Sequence, residues 1–157
     1  MNMEILDWDD FFSSVASLSA MRSRDPVKQT GACIVNEENR LVGIGYNGMP
    51  RGIDETLLPM DENDPISSKR FYVCHATMNA VLNKNQQSLR DCRIYCTHIP
   101  CNECAKILCQ VGIKCIYFLN ESPEDCMSTL GTRKLCEAAG IALKQLSTCK
   151  PEIYLPL

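Results

Sequence analysis

Three residues with metal-binding side chains are divided between two segments of the chain, and the fold must bring those segments together. His75 stands in Cys-His-Ala-Thr (residues 74–77), and Cys101 and Cys104 stand in Pro-Cys-Asn-Glu-Cys (residues 100–104). The pattern predicts that His75 begins one helix and that the two cysteines begin the next. A C-x-x-C spacing on one helical turn lets both sulfurs face a common point. Neutral imidazole with two thiolates suits zinc, and three protein ligands leave the fourth position open, as in catalytic sites.

Two other interpretations of these cysteines remain open. A C-x-x-C pair is also typical of redox-active dithiols, and it can arise by chance in a chain with 11 cysteines. A closed structural zinc site would need a fourth ligand, for which Cys74 and Cys96 are candidates. On a helix the side chains of Cys74 and His75 diverge by about 100°. Cys74 could therefore reach the metal only if it precedes the helix.

The composition predicts a single globular domain over residues 1–157, with the tail after residue 150 left unassigned. The cysteine count of 11 is odd and no signal peptide is evident, so we expect reduced cysteines rather than a secreted disulfide framework. The net charge of −3 argues against an extended nucleic-acid surface. No apolar stretch approaches membrane-spanning length. We expect a cytoplasmic protein, with the nucleus as the alternative location.

Hydrophobic periodicity predicts an α/β fold. Helices are predicted at 8–22 with Asp7 as N-cap, at 74–89, from Pro100 to Gly112, and at about 124–139 ending at Gly140. Strands are predicted at 31–35, 41–46, 93–97, 114–119 and from 141, and residues 53–70 are predicted to form a long surface loop. A hairpin followed by alternating strands and helices implies a mixed sheet in a three-layer sandwich, with parallel strands in its second half. The ligand cleft would lie at helix N-termini beyond the strand ends.

The motifs together resemble the zinc-dependent cytidine and deoxycytidylate deaminase superfamily. Cys-His-Ala-x-x-Asn-Ala at 74–80 and Pro-Cys-Asn-Glu-Cys at 100–104 are similar to the H-x-E…P-C-x-x-C signature of zinc deaminases. Residues 22–26, 31–36, 43–50 and 100–106 resemble the deoxycytidylate (dCMP) deaminases in particular. The resemblance runs from about residue 7 to 143. It implies a cytidine-deaminase-like three-layer α/β/α sandwich with a central mixed five-stranded sheet.

The resemblance implies that His75, Cys101 and Cys104 hold Zn²⁺, and that the family reaction is hydrolysis of dCMP to dUMP and ammonia. In this family zinc activates a water molecule, and the glutamate two residues after the histidine moves protons. This chain has Thr77 at that position. A carboxylate exchanges protons at neutral pH, whereas a threonine hydroxyl does not. The sequence therefore predicts an impaired or inactive catalytic site that keeps its metal.

Two residues are candidates to replace the missing base, and neither is convincing. His98 lies at the end of a strand that points toward the site, and a histidine can titrate near neutral pH. The alternative for His98 is a solvated or pocket-tuning side chain. Glu103 lies between the two cysteines, but on a helical turn it faces away from both sulfurs.

The resemblance also implies a nucleotide site, with Asn47 and Gly48 in the nucleotide-contacting loop. The basic residue and tyrosine that hold the substrate's 5′-phosphate in this family are missing from residues 120–125, where several side chains are acidic and oppose phosphate binding. Candidate cations from the other side of the site are Arg22, Arg24 and Lys28. The alternative for each arginine is a solvated helix end.

Three functional hypotheses follow. The first is a dCMP deaminase in which Thr77 is engineered or is compensated by another base. The second is a non-catalytic relative that binds zinc and deoxynucleotides as a regulatory or hetero-oligomer subunit, and the departures at Thr77 and at residues 122–123 favour it. The third, a thiol–disulfide protein, is remote. The resemblance further implies a homohexamer that dCTP with Mg²⁺ activates and dTTP inhibits.

Overall fold

A computed structural model of the chain describes residues 5–58, 68 and 71–147. Its helices are α1 (Trp8–Ala20), α2 (Ala76–Leu82), α3 (Asn102–Val111) and α4 (Cys126–Ala139), with short 3-10 turns at Glu55–Leu57 and Pro123–Asp125. Its strands are β1 (Gly31–Val35), β2 (Leu41–Tyr46), β3 (Arg93–His98), β4 (Cys115–Asn120) and β5 (Ala142–Gln145). No helix among the described residues combines the length and apolar character that a membrane span requires.

The five strands form one mixed sheet in the order β2-β1-β3-β4-β5. β1 pairs antiparallel with both β2 and β3, whereas the β3–β4 and β4–β5 pairs are parallel. The mixed five-stranded sheet and its parallel second half are as predicted. The start of β1 and the carboxyl ends of β2, β3 and β4 therefore lie side by side at one end of the strands.

Helices cover both faces of the sheet, which confirms the three-layer sandwich. On one face, Phe12 and Ala16 of α1 pack against Cys33, Val35 and Tyr95. On the other face, residues of α2, α3 and α4 share one core with the opposite side chains of the same strands. The close approach of helix and sheet depends on Gly45, where an added Cβ would lie 2.2 Å from the carbonyl oxygen of Ala76 at the start of α2.

The capping residues behave as predicted. Asp7 caps α1, because its side chain accepts hydrogen bonds from the backbone N–H groups of Asp9 and Asp10. Gly112 and Gly140 end α3 and α4 in the left-handed conformation, with φ of 78° and 69°. These positions carried the clearest local signals in the sequence, and each fixes one end of an element.

Several element boundaries differ from the prediction, most of them by one or two residues, and α3 begins at Asn102, with Pro100 before the N-cap Cys101 rather than in the first turn. α1 ends at Ala20 rather than 22, and α4 begins at Cys126 after the 3-10 turn. α2 ends at Leu82 rather than at 89, because the following segment bonds to β2 instead of continuing the helix. The Asn83 side chain donates to the Ile44 carbonyl, and the Asn85 backbone N–H donates to the Val42 carbonyl. Of the loop predicted at 53–70, residues 59–67, 69 and 70 lie outside the described residues.

Candidate metal centre

The three predicted ligands are positioned by the starts of two helices. His75 is the N-cap of α2, with extended backbone at φ −71° and ψ 153°. Cys101 is the N-cap of α3, and its Sγ accepts a hydrogen bond from the backbone N–H of Cys104 in the first turn. Both helix N-termini therefore point toward the same group of side chains. Their positive ends favour thiolate over thiol.

The side chains of His75, Cys101 and Cys104 converge on one point. Their ligand atoms all lie within 4.8 Å of one another, and His75 Nδ1 lies 3.2 Å from Cys101 Sγ and 3.4 Å from Cys104 Sγ. Around a tetrahedral zinc ion, with bonds of about 2.3 Å to sulfur and 2.0–2.1 Å to nitrogen, such nitrogen–sulfur separations are about 3.5 Å. The donor set and its spacing therefore fit zinc.

The structure does not support a fourth cysteine ligand. Among the described residues, no further histidine, cysteine or carboxylate joins this group. Cys74 precedes the helix, where its backbone exchanges hydrogen bonds with Gly48. Cys96 is buried, and its Sγ lies 3.7 Å from Thr77 Oγ1. The arrangement of three ligands favours an open site over a closed structural one.

The two cysteines have opposite pKa shifts. A hydrogen bond from the Cys104 side chain, supported by His75, lowers the pKa of Cys101 to about 4. The same contact with Cys101, together with burial, raises the pKa of Cys104. The hydrogen bond with Cys101 also raises the pKa of His75. One thiolate is therefore stable in this cluster without a cation, and a divalent cation would stabilise the second.

The lowered pKa of Cys101 predicts a thiolate in the metal-stripped protein at mildly acidic pH. Because the folded-state pKa lies near 4, the thiolate is present above that pH and is lost below it. Thiolate absorbance near 240 nm should be present at pH 6, and Cys101→Ser should remove it. An absorbance at pH 6 that is the same in the variant would contradict the assignment.

Thr77 lies in the first turn of α2 and lines the same cavity as the three candidate ligands. The cavity has a volume of about 520 Å³, which is large enough for a mononucleotide. Thr77 is only 5% exposed, and its hydroxyl contacts the Cys96 sulfur at 3.7 Å. The side chain two residues after His75 therefore faces the site, as the motif predicts, and it carries no carboxylate.

The structure separates the two candidate replacement bases. Glu103 does not line the cavity, and its carboxylate pairs with Lys106 Nζ at the surface. His98 does line the cavity, with Nδ1 3.2 Å from Thr97 Oγ1. The described lining also includes two carboxylates, Asp25 and Asp125, that sequence reasoning did not single out as bases.

The predicted nucleotide contacts lie in different places. Asn47 lines the cavity and is only 6% exposed, and its side-chain amide bonds to Asp25, to the Lys28 carbonyl and to the Thr30 N–H. Gly48 does not line the cavity, and its backbone instead holds Cys74 beside His75. Arg22 and Arg24 are exposed and also lie outside the cavity lining. Among the described residues, Lys28 is the one lysine or arginine that lines the cavity.

Sequence reasoning missed two features of this site. Lys28 Nζ donates to Ser122 Oγ at 3.4 Å across 94 positions of sequence, and no local motif marks this pair. Asp125 lines the cavity from the turn before α4. Its charge acts on His75 in the same direction as the larger effect of the Cys101 hydrogen bond, toward a higher histidine pKa. Only the order of the strands reveals that the segments after β4 and before β1 meet.

Comparisons with known proteins agree with this geometry. Residues 6–120 match the family model of the cytidine and deoxycytidylate deaminase zinc-binding region. The chain is 44% identical to the deoxycytidylate deaminase of Mus musculus over 146 residues, which cover 92% of this chain and 82% of the relative. It is 44% identical to the Homo sapiens enzyme of the same name over 144 residues, covering 90% of this chain and 81% of the relative.

Solved structures show the same fold. The dCMP deaminase from the cyanophage S-TIM5, in complex with dCMP and dUMP, matches this chain with a TM-score of 0.75 at 24% identity. The match covers 92% of this chain and 100% of the cyanophage chain. At that identity the likeness shows a shared architecture, and it agrees with the mixed five-stranded sheet described above.

Proposed function

The chain belongs to the zinc-binding cytidine and deoxycytidylate deaminase family, and within it we propose a member that holds zinc and a pyrimidine deoxynucleotide but deaminates dCMP very slowly. The observation that carries this proposal is the position of Thr77. It faces the cavity beside His75, Cys101 and Cys104, where the family motif calls for a glutamate. The site thus keeps its candidate ligands and lacks the proton-transferring group.

The residues of this chain can supply metal binding at such a site, but they do not supply proton transfer at position 77. His75, Cys101 and Cys104 would hold the metal, which when bound supplies Lewis-acid activation of water. Thr77 can donate or accept a hydrogen bond and so orient a water molecule or a ligand. Its hydroxyl cannot accept a proton at neutral pH and return it. Loss of general acid–base help typically slows a reaction by about 10²–10⁴-fold, and this glutamate serves several successive steps.

The second candidate is an active enzyme in which another residue serves as the base, and the position of Asp125 in the cavity lining favours it. This carboxylate lines the cavity and interacts electrostatically with His75. Asp25 is less suitable, because Oδ1 accepts from the backbone N–H groups of Val27 and Lys28, and Oδ2 accepts from Asn47 Nδ2. His98 stays a candidate from its place in the cavity lining. These groups lie elsewhere in the cavity than Thr77, so we expect them to serve poorly.

The proposed ligands are dCMP and dUMP. The family and the cavity volume support a mononucleotide, and the cyanophage relative was solved with both. The predicted homohexamer, the effectors dCTP with Mg²⁺ and dTTP, and the cytoplasmic location stay predictions of the resemblance and the composition.

Equilibrium binding tests the ligand assignment. Zinc-loaded protein should bind dUMP saturably in a calorimetric titration, and it should bind dCMP saturably in a measurement finished within about a minute, before slow turnover consumes the ligand. The cavity and its metal ligands do not depend on Thr77 carrying a carboxylate, so binding is expected to survive. Cytidine triphosphate serves as the mismatched ligand. A folded, zinc-loaded protein that binds neither monophosphate would contradict the proposal.

A further inference from the structure

We infer that Ser128 and Thr132 of α4 position the candidate metal ligand Cys101 through the backbone on either side of it. This inference rests on the proposed function, because it concerns zinc binding by the same site. It assigns a role there to a helix that supplies none of the three candidate ligands. The two hydroxyl residues are four positions apart, so they lie on one face of α4. Both bond to the segment that leads into α3, where Cys101 is the N-cap.

Cys101 is a ligand that needs support from outside its own helix. Cys104 lies within α3, so the helical backbone sets the direction of its side chain. Cys101 precedes that helix and has extended backbone, with φ −68° and ψ 165°. His75 is also an N-cap, but the backbone hydrogen bonds between Cys74 and Gly48 hold the chain immediately before it. Cys101 requires a different anchor, and α4 provides it.

The α4 hydroxyls anchor the two peptide groups that flank the Cα atom of Cys101. Thr132 Oγ1 donates to the Pro100 carbonyl at 2.8 Å, and this carbonyl belongs to the peptide group before Cys101. The Asn102 N–H, in the peptide group after Cys101, donates to Ser128 Oγ at 3.0 Å. The angles φ and ψ are the rotations of these two peptide planes about Cα. Holding both planes therefore fixes the direction in which the Cys101 side chain leaves the backbone.

The contact between α4 and this segment is close, and its polar groups are paired. Thr132 is fully buried, at 0% exposure, and the Pro100 residue whose carbonyl it binds is also buried. Ser128 Oγ also donates to Asn102 Oδ1 at 2.9 Å, so one hydroxyl both accepts from and donates to the same residue. An added Cβ at Gly131 would lie 3.2 Å from the Asn102 Cβ. A ligand held in this way loses little conformational freedom when it binds a metal ion.

The zinc affinity of the full chain tests the inference, measured by competition with a chromophoric chelator under reducing conditions. Thr132→Val removes the hydroxyl with little change in side-chain shape. It should weaken zinc binding by about 10- to 100-fold, the usual effect of losing a residue that orients a metal ligand. Ser128→Ala should weaken zinc binding within the same range. Thr132→Ser keeps the hydroxyl and should bind zinc nearly as tightly as the unaltered chain.

Ser19→Ala is the matched control for the loss of a buried hydroxyl. Ser19 is 8% exposed, donates to the carbonyls of Ala16 and Gly45 at 2.8 and 3.2 Å, and lies outside the cavity lining. Its replacement should lower the thermal midpoint and leave zinc affinity unchanged. Midpoints of the metal-stripped variants show whether each is folded. Ser128 is only half-buried, so Ser128→Ala carries the test if Thr132→Val does not fold.

The outcomes separate the positioning role from the proposed function. If the unaltered chain does not bind zinc near one ion per chain, the proposed function is wrong and the positioning role with it. If the unaltered chain binds zinc but either α4 variant is folded and keeps full zinc affinity, only the positioning role is wrong. An equal loss of zinc affinity in Ser19→Ala would also overturn it, since zinc affinity would then follow overall stability.

Discussion

Replacing Thr77 with glutamate is expected to raise the rate of dUMP formation from dCMP by about 10²- to 10⁴-fold. The new carboxylate would start from the first turn of α2 and extend into the cavity that His75 and the two cysteines line. The change gives up the 3.7 Å contact between Thr77 and the Cys96 sulfur, which is a weak interaction. The gain in proton transfer therefore outweighs the lost contact.

Thr77→Gln is the matched control for this experiment. Glutamine has nearly the size and shape of glutamate but cannot exchange a proton at neutral pH. We expect turnover by Thr77→Gln to stay at the level of the unaltered chain. If the glutamate and glutamine variants are equally slow although both bind dCMP, then Thr77 is not the principal lesion. The departures at residues 120–125 would become the next positions to restore.

Removing one metal ligand should have the second large effect. Cys104→Ala is expected to reduce zinc from about one ion per chain to a small fraction, since two ligands hold zinc far more weakly than three. A ligand present at about 1,000 times its dissociation constant stabilises the folded state by about 4 kcal/mol. For a chain of this size, that loss corresponds to a thermal midpoint lower by about 8–16 °C.

Cys136→Ala provides the comparison for Cys104→Ala. Both sulfurs are buried, at 2% and 1% residue exposure, but Cys136 lies outside the ligand group. Its replacement should cost only the stability of a lost core contact and should leave the zinc content unchanged. A chelator should lower the midpoint of Cys136→Ala and leave that of Cys104→Ala nearly unaffected. Zinc retained at full content by Cys104→Ala would contradict the ligand assignment.

Elements with strong local signals were predictable from the sequence. Asp7, Gly112 and Gly140 each supply a chemical group or a backbone conformation that an element boundary requires, and the structure places them there. The end of α2 was predicted seven residues too late. Leu89 fits the helical spacing and is buried, but it reaches the core from outside the helix. Hydrophobic periodicity indicates which residues are buried, but it does not show whether a buried residue belongs to the helix or to the segment that follows it.

The metal cluster was predictable because its spacing is tied to helix starts. The cationic residues that line the cavity were less predictable from the sequence. Arg22 and Arg24 lie near the site in sequence, yet they are exposed outside the cavity, while Lys28 enters its lining. The contact between Lys28 and Ser122 depends on the order of β1, β3 and β4 in the sheet. Such long-range contacts leave no local pattern in the chain.

The most direct test of the central claim is turnover of dCMP by the unaltered, zinc-loaded protein, followed as dUMP formed. Zinc content near one per chain is measured on the same sample, so that a missing metal cannot explain a slow reaction. With a typical enzyme near 10 s⁻¹ and a loss of about 10⁴-fold, we expect about 10⁻³ s⁻¹ or less. Turnover near one per second or faster would contradict the claim. Asp125→Asn and His98→Ala would then identify the base that acts in place of a residue-77 carboxylate.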